Sequence, residues 1–379
     1  MHPALKYSFD DLIAGLEERV QQNYISKKTN GDLTLYNYTN SCTFDKVWDD
    51  FTISARGLIL HIPTKKIVAL PFPKFFNYGE NGYDLPDEPF EIFEKVDGSL
   101  GIIYHCNDQW NVATRGSFDS EQSKWAKKWL DENVNTNCMF KTDTYLAEIV
   151  YPENRIVVKY GYSGLVLLGA YYTGIGQEYY QRNLDAFTWI GFLRPKTFKY
   201  ESVEDLVNVA KSLSVDAEGF VVRFQSGFRI KIKGDEYCRV HRIISNLTPL
   251  GIWESMMNCD NLEEIKKQLP EEFFKDFDGL IEIFQNRFEN LLKAVVFCCN
   301  SVKDVDNKTL GLLLQGKNDF PEPARNFIFA ARKKENFLDL VNSKSSERER
   351  IFKSFRPTGN VLEGYSPTNA INRFANENL

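Results

Sequence analysis

The chain has 379 residues, a net charge of −6 and seven cysteines, and 43% of it is hydrophobic. This length and composition suit two globular domains and exclude a disordered chain, while the acidic balance excludes a protein that coats nucleic acid by bulk charge but leaves room for a local basic groove. The cysteines include no Cys-x-x-Cys pair and offer no disulfide frame, which predicts a reducing, cytoplasmic setting. No apolar run nears the roughly 18 residues of a membrane span, and Met1-His2-Pro3-Ala4 lacks a signal-peptide pattern, so no membrane partner is expected.

In chain order, Ser8-Phe9-Asp10-Asp11 reads as a helix start followed by an apolar stripe of Leu12, Ile13, Leu16 and Val20. Leu33 to Tyr38 alternates as a half-buried strand does, and Gly57 to Ile62 reads as a deeper one. Proline and glycine between Pro71 and Pro89 mark a looped approach to a strand that ends in Phe93-Glu94-Lys95. Strands are expected at Leu100 to Tyr104, Trp110 to Thr114, Thr144 to Tyr151, Arg155 to Tyr160 and Leu165 to Tyr172, interrupted by a helix over Ser120 to Asn133. Phe220 to Phe224 and Phe228 to Lys233 read as a hairpin turned at Gln225-Ser226-Gly227. Gly174-Ile175-Gly176 lacks the third glycine of a dinucleotide fingerprint and reads as a turn. The short connections suit antiparallel sheets.

After about Arg242 the pattern becomes helical, with Phe273, Phe277, Leu280, Ile281, Phe284, Phe288, Leu291, Leu292 and Val295 at helical spacing. Pro321-Glu322-Pro323 is expected to start a further helix carrying Phe327, Ile328, Ala331, Leu338 and Leu340. The domain boundary is placed near residue 243, giving domains 1–242 and 243–379.

Lys95 stands between apolar strand residues and an Asp97-Gly98 turn, as a nucleophilic lysine would. An amine attacks phosphorus only when neighbouring cations or desolvation lower its pKa. Arg229, Lys231 and Lys233 alternate along one strand and are expected to present three cations on one face, as a triphosphate requires. Glu148 and Glu218 are each an acid within an apolar strand, which calls for a metal, its water shell, a ribose hydroxyl or a salt bridge. With Asp97 they form a candidate acid set for Mg²⁺. Taken singly, the lysines also fit a solvated strand face, and His105 fits a sheet residue with no metal role.

Lys95-Val96-Asp97-Gly98, Glu148, Glu218-Gly219-Phe220-Val221 and Lys231-Ile232-Lys233, in that order, resemble the motif series of covalent nucleotidyltransferases: DNA ligases, RNA ligases and capping enzymes. Tyr36-Asn37-Tyr38, Ala55-Arg56-Gly57, Lys74-Phe75-Phe76-Asn77, Lys95 to Leu100, Asn154-Arg155-Ile156-Val157 and Lys231-Ile232-Lys233 narrow the resemblance to the phage RNA ligase 1 family of ATP-dependent tRNA-repair ligases. It covers residues from about 30 to 240.

The resemblance implies an α+β protein: an antiparallel-sheet adenylation domain followed by an all-α C-terminal domain associated with tRNA preference. It implies ATP-dependent joining of RNA 3′-hydroxyl and 5′-phosphate ends through a lysyl-AMP and an adenylated RNA end, with Mg²⁺, or alternatively Mn²⁺, as the metal. Lys95 would carry AMP; Lys95, Glu148, Glu218, Lys231 and Lys233 would be catalytic; Tyr36, Arg56 and Lys74 would join Lys95, Glu148, Lys231 and Lys233 in binding ATP. Asp97, Glu148 and, through water, Glu218 would serve the metal, and Asp260 aligns with a family metal ligand only after a gap. Arg115 and Tyr237 match substrate-side positions, Arg115 replacing a lysine to which a guanidinium is not equivalent.

The expected partner is RNA, with nicked tRNA as one candidate and a separate end-healing kinase/phosphatase as another partner, since no Gly-x-x-x-x-Gly-Lys-Ser/Thr motif occurs. Two basic zones are candidates for RNA contact: Arg223, Arg229, Lys231, Lys233, Arg239 and Arg242, and a C-terminal set that includes Arg332, Lys334 and Arg348. The rival readings are a GTP-using capping enzyme, a DNA nick-joining enzyme and an inactive nucleotide- or RNA-binding module.

Overall fold

The computed structural model describes residues 1–315, 320–368 and 371–372, and the chain divides into two compact units, one of Met1–Arg239 and one beginning at Val240. The strands of the first unit are, in chain order, β1 Ile25–Asn30, β2 Leu33–Tyr38, β3 Arg56–His61, β4 Lys66–Ala69, β5 Phe76–Asn77, β6 Phe90–Glu94, β7 Ser99–Cys106, β8 Gln109–Thr114, β9 Thr144–Val150, β10 Gly164–Tyr172, β11 Gln177–Glu178, β12 Thr197–Phe198, β13 Gly219–Phe224 and β14 Arg229–Lys233. They form three sheets, ordered β1-β2-β3-β4, β11-β10-β9-β7-β8 and β12-β6-β13-β14-β5. Pairing within them is antiparallel apart from β14 with β5.

Each sheet buries one face against a helix. The helix Phe9–Gln21 starts at Ser8, whose hydroxyl accepts the Asp11 N–H, and lays Leu12 and Leu16 on Leu35, Leu58 and Leu60 of the first sheet. Leu100, Ile102 and Leu146 of the second sheet belong to the same core. The helix Glu121–Asn133, capped by Ser120, packs Ala126 and Leu130 against Ile103, Val112, Ala147 and Leu165. The helix Val203–Lys211 covers the third sheet, placing Leu206 and Ala210 against Phe220, Val222 and Ile232.

Two expected elements differ. The expected strand over Arg155 to Tyr160 is irregular backbone, because the Val157 and Val158 N–H groups donate to the Asp97 carboxylate instead of a ladder partner. The helix expected from Pro321 is broken into the short segments Ala324–Phe327, Ile328–Lys333 and Phe337–Asn342.

The second unit is helical. Its long helix, Phe274–Ser301, buries Phe277, Leu280, Phe284, Leu291 and Val295 on one stripe. Arg348, one of the expected RNA-facing cations, is built into this unit: it donates to the Met256, Met257 and Val341 carbonyls and lies over the Phe288 and Phe352 rings. Arg332 donates to the Val305 carbonyl, and Lys334 pairs with Glu347, so this basic zone is partly structural. Among the described residues no helix is long and apolar enough to cross a membrane.

Candidate active site

Three neighbouring strands assemble the centre. Phe220 of β13 faces Glu94 of β6 and Gly219 faces Lys233 of β14, so Lys95, Glu218 and Lys233 meet at one end of the third sheet. The Lys95 N–H donates to the Gly219 carbonyl at 2.9 Å. Its Nζ donates to Glu218 Oε2 at 2.8 Å, and the other Glu218 oxygen meets Lys233 Nζ at 3.0 Å. The Glu218 side chain is only 3% exposed.

Burial works against the Glu218 charge, yet Lys95 and Lys233 hold its carboxyl below the usual range. Burial likewise works to lower the Lys95 pKa, but the Glu218 charge, then Glu148 and Asp97, raise it above the ordinary lysine value. The expected depression at the nucleophile is therefore reversed in this structure. The depressed lysine is Lys231, pushed well down by burial and then by the cations Lys74, Lys95, Lys233 and Arg56. The difference lies in the partner: a carboxylate touches Lys95, whereas the charges acting most on Lys231 are all positive.

The turn after Lys95 is tied from several directions. Asp97, 3% exposed, accepts the Val157 and Val158 N–H groups at 2.8 Å and the Tyr237 hydroxyl at 2.8 Å, while its own N–H donates to the Tyr160 hydroxyl. Ser99 donates to Asn154, which in turn donates to the Ile149 carbonyl. Gly98 needs its missing side chain, because a Cβ there would stand 2.6 Å from the Ile149 carbonyl oxygen and 3.1 Å from Glu148 Cγ. This geometry corrects two expectations. Asp97 spends both carboxylate oxygens on protein donors instead of facing a metal, and Tyr237, 2% exposed, anchors Asp97 instead of presenting itself to RNA.

A second cluster adjoins the first. Tyr38 receives a 3.1 Å hydrogen bond from Arg115, whose guanidinium also lies over its ring. Burial would push the Tyr38 hydroxyl up, but Arg115, Lys74 and Arg56 pull it below its ordinary value. The Lys74 ammonium sits 5.4, 5.3 and 5.1 Å from the ring centres of Tyr38, Trp48 and Phe76. Arg56 opens β3 beside the bulge at Gly57, where the register steps from Tyr36↔Leu58 to Asn37↔Arg56 and the glycine takes φ +96°. Its buried Nη1 and the buried Oδ1 of Asn37 have no hydrogen-bond partner.

Such a buried donor and acceptor are what a polar ligand would satisfy. Tyr36 is not in this cluster: it is 1% exposed and donates to Glu17 at 2.8 Å. Tyr38, quoted in the same motif, is the residue that sequence reasoning passed over. Tyr36→Phe is accordingly expected to cost about 1 kcal/mol of stability for its lost hydrogen bond and to leave the KM for nucleotide unchanged, whereas Tyr38→Ala raises that KM; denaturant unfolding and nucleotide titration separate the two.

Glu148, half-buried on β9 between Leu100 and Val166, acts electrostatically on Lys95 and Arg56. Among the described residues Asp97, Glu148 and Glu218 do not gather into a metal-ligand cluster, since Glu218 is turned to two lysines and Asp97 to its donors. Asp260 is an exposed residue of the second unit. The three-cation strand face is reduced to two, because Arg229 is buried against Glu178 and the Phe72 ring. Arg223 also pairs with Glu178 and with Glu91, and Arg239 pairs with Glu236, so the first basic zone centres on Lys231 and Lys233.

This sheet arrangement, with a lysine at the strand ends, is the nucleotidyltransferase fold of polynucleotide ligases. The solved structure of an archaeal ATP-dependent RNA ligase (form 1) shares it with a TM-score of 0.50 at 11% identity, over 74% of this chain and 83% of that one. Residues 54–237 match the family model described as RNA ligase. A protein named bifunctional polynucleotide kinase/RNA ligase from Autographa californica nuclear polyhedrosis virus is 31% identical over 248 residues, 58% of this chain and 35% of that one. An RNA ligase of Rhodothermus phage RM378 is 24% identical over 306 residues, 61% of this chain and 69% of that one. The chain thus spans about a third of the viral relative's length.

Proposed function

We propose that the chain is an ATP-dependent RNA ligase with Lys95 as its nucleophile. The observation that carries this reading is the Lys95–Glu218–Lys233 triad set beside the depressed amine of Lys231 and the cations Arg56, Lys74 and Arg115, a cluster that calls for a polyanion. The Lys95 amine, once deprotonated, forms a nitrogen–phosphorus bond to the α-phosphate of ATP as the bond to the β-phosphate breaks and pyrophosphate departs. Glu218 Oε2, 2.8 Å from Nζ, holds the amine in place and is the nearest acceptor for its proton. Lys231 and Lys233 stabilise the phosphate charge, and contact with phosphate oxygens restores Lys231 to its charged form.

Arg56 and Lys74 hold the phosphate tail, and Glu148, whose charge acts on both Lys95 and Arg56, would take a divalent ion or its waters, whose bound charge would screen the phosphates. AMP then passes to an RNA 5′-phosphate, and an RNA 3′-hydroxyl attacks that phosphate with release of AMP. Residues 1–242 would carry this chemistry and residues 243–379 the preference for a particular RNA, nicked tRNA being one candidate. A viral relative named as both kinase and ligase supports a pairing with end-healing chemistry.

Incubation with Mg²⁺ and α-labelled ATP, with GTP in parallel, followed by a denaturing gel tests the first step. Label is expected from ATP and is lost in Lys95→Ala. Label from GTP alone moves the assignment to capping chemistry, and no label from either, in folded protein free of prior AMP, defeats the proposal.

A further inference from the structure

We infer that Trp48 is a positioning residue that, together with Tyr38 and Phe76, aims the Lys74 ammonium at the phosphate tail of the nucleotide. The inference rests on the ligase reading above. Lys74 is fixed at its main chain by an N–H bond to the Ile53 carbonyl at 2.9 Å, and three aromatic rings then surround its ammonium at 5.1–5.4 Å. The rings brace one another: Trp48 stands edge-on to Tyr38 with centroids 5.2 Å apart and to Phe76 at 5.3 Å. Trp48 itself leads into the helix Asp50–Ser54, whose start is locked by the reciprocal Asp49 and Thr52 capping bonds.

A carboxylate in place of these rings would also hold a lysine, but it would neutralise the charge. Ring faces attract a cation through their quadrupole while leaving its full charge to an incoming anion. The surroundings favour such an anion. Arg56 and Arg115 converge on the same Tyr38, and the buried Arg56 Nη1 has no acceptor. Trp48 is thus the element that keeps a flexible four-carbon side chain extended toward phosphate before the nucleotide arrives.

The test is the ATP dependence of covalent label formation in wild type, Trp48→Leu, Trp48→Phe, Lys74→Met and the Trp48→Leu/Lys74→Met double variant. Trp48→Leu is expected to raise the KM for ATP about tenfold with kcat changed less than about threefold, and Trp48→Phe to recover most of the loss. In the Lys74→Met background Trp48→Leu should add nothing, because the tryptophan acts through the lysine. Trp48→Gln repeats the series should the leucine variant fail to fold. An unchanged KM, or an equal further rise without Lys74, overturns this inference alone; absence of label in the wild type overturns the ligase reading and this inference with it.

Discussion

Glu218→Gln should cut label formation from ATP by about 10²–10³-fold at neutral pH, because it removes the group that orients the attacking amine. Two lysines share this one buried carboxylate, at 2.8 and 3.0 Å. Without it, Lys95 and Lys233 lose the carboxylate that touches them both, and breaking a buried pair of this kind costs about 3–5 kcal/mol of stability.

The pH profile should move as well. In the wild type burial lowers the Lys95 pKa but Glu218 more than reverses it, so the neutral amine appears only above the ordinary lysine range. In the glutamine variant burial is opposed only by the more weakly acting Glu148 and Asp97, the pKa falls, and the basic rise of the labelling rate shifts to lower pH. The stability contribution has the matching window. Glu218 lies below its ordinary value of 4.5 and Lys95 above 10.5, so the ion pair contributes fully between those values. It is lost as pH falls through the lowered carboxyl or rises through the raised amine. A labelling rate within threefold of wild type, or an unmoved basic rise, would show that Glu218 does not control the nucleophile.

Asp97→Ala should destabilise the first unit by about 3 kcal/mol or more, since it strips the Val157 and Val158 N–H groups and the Tyr237 hydroxyl of their acceptor in a buried place. Label formation should fall with it, because these bonds fix the turn that carries Lys95. Asp97→Asn keeps one acceptor oxygen and should lose less.

The charge of Asp97 supplies a separate readout. Burial, then Glu218, push its carboxyl up to about 6, against the pull of its hydrogen-bond donors. A folded value above the ordinary 3.8 means that the folded chain holds the proton more tightly. Stability from this group is full below about 4 and is lost as pH rises through about 6. Denaturant unfolding between pH 4 and 7 should show this decline in the difference between wild type and Asp97→Asn. A flat difference would sink the assignment of Asp97 as a buried, titrating anchor.

Much of the first unit was legible because its signals are local. Ser8 starts the helix it was expected to start, the helix expected over Ser120 to Asn133 forms as Glu121–Asn133, and the Phe220–Lys233 segment forms its hairpin around Gly227 at φ +90°. Alternation and caps act over a few residues, which a linear reading can see. The bringing together of Lys95, Glu218 and Lys233 was legible for a related reason: each sits at the end of a recognisable strand motif, and strand pairing aligns those ends.

What could not be read were partners distant in sequence. Tyr36 and Tyr38 lie two positions apart in one motif, yet one answers to Glu17 and the other to Arg115. Arg229 looks like its neighbours Lys231 and Lys233 until Glu178 neutralises it. The strand pattern of Arg155 to Tyr160 was overridden by a carboxylate about 60 residues earlier in the chain, at Asp97.

The sequence by itself determined the chemistry available: a lysine before an Asp-Gly turn, acids within apolar strands, alternating cations, and the order of motifs that an RNA ligase family model matches. Only the tertiary structure decided how that chemistry is charged and aimed. A side chain's protonation and direction depend on which groups lie within a few ångströms of it, and in this chain those groups come from strands and loops far apart in the sequence. Lys95, at the end of β6, and Lys231, on β14, are the same residue type in one sheet, and a single carboxylate at the start of β13 between them makes one a held cation and leaves the other waiting for an anion.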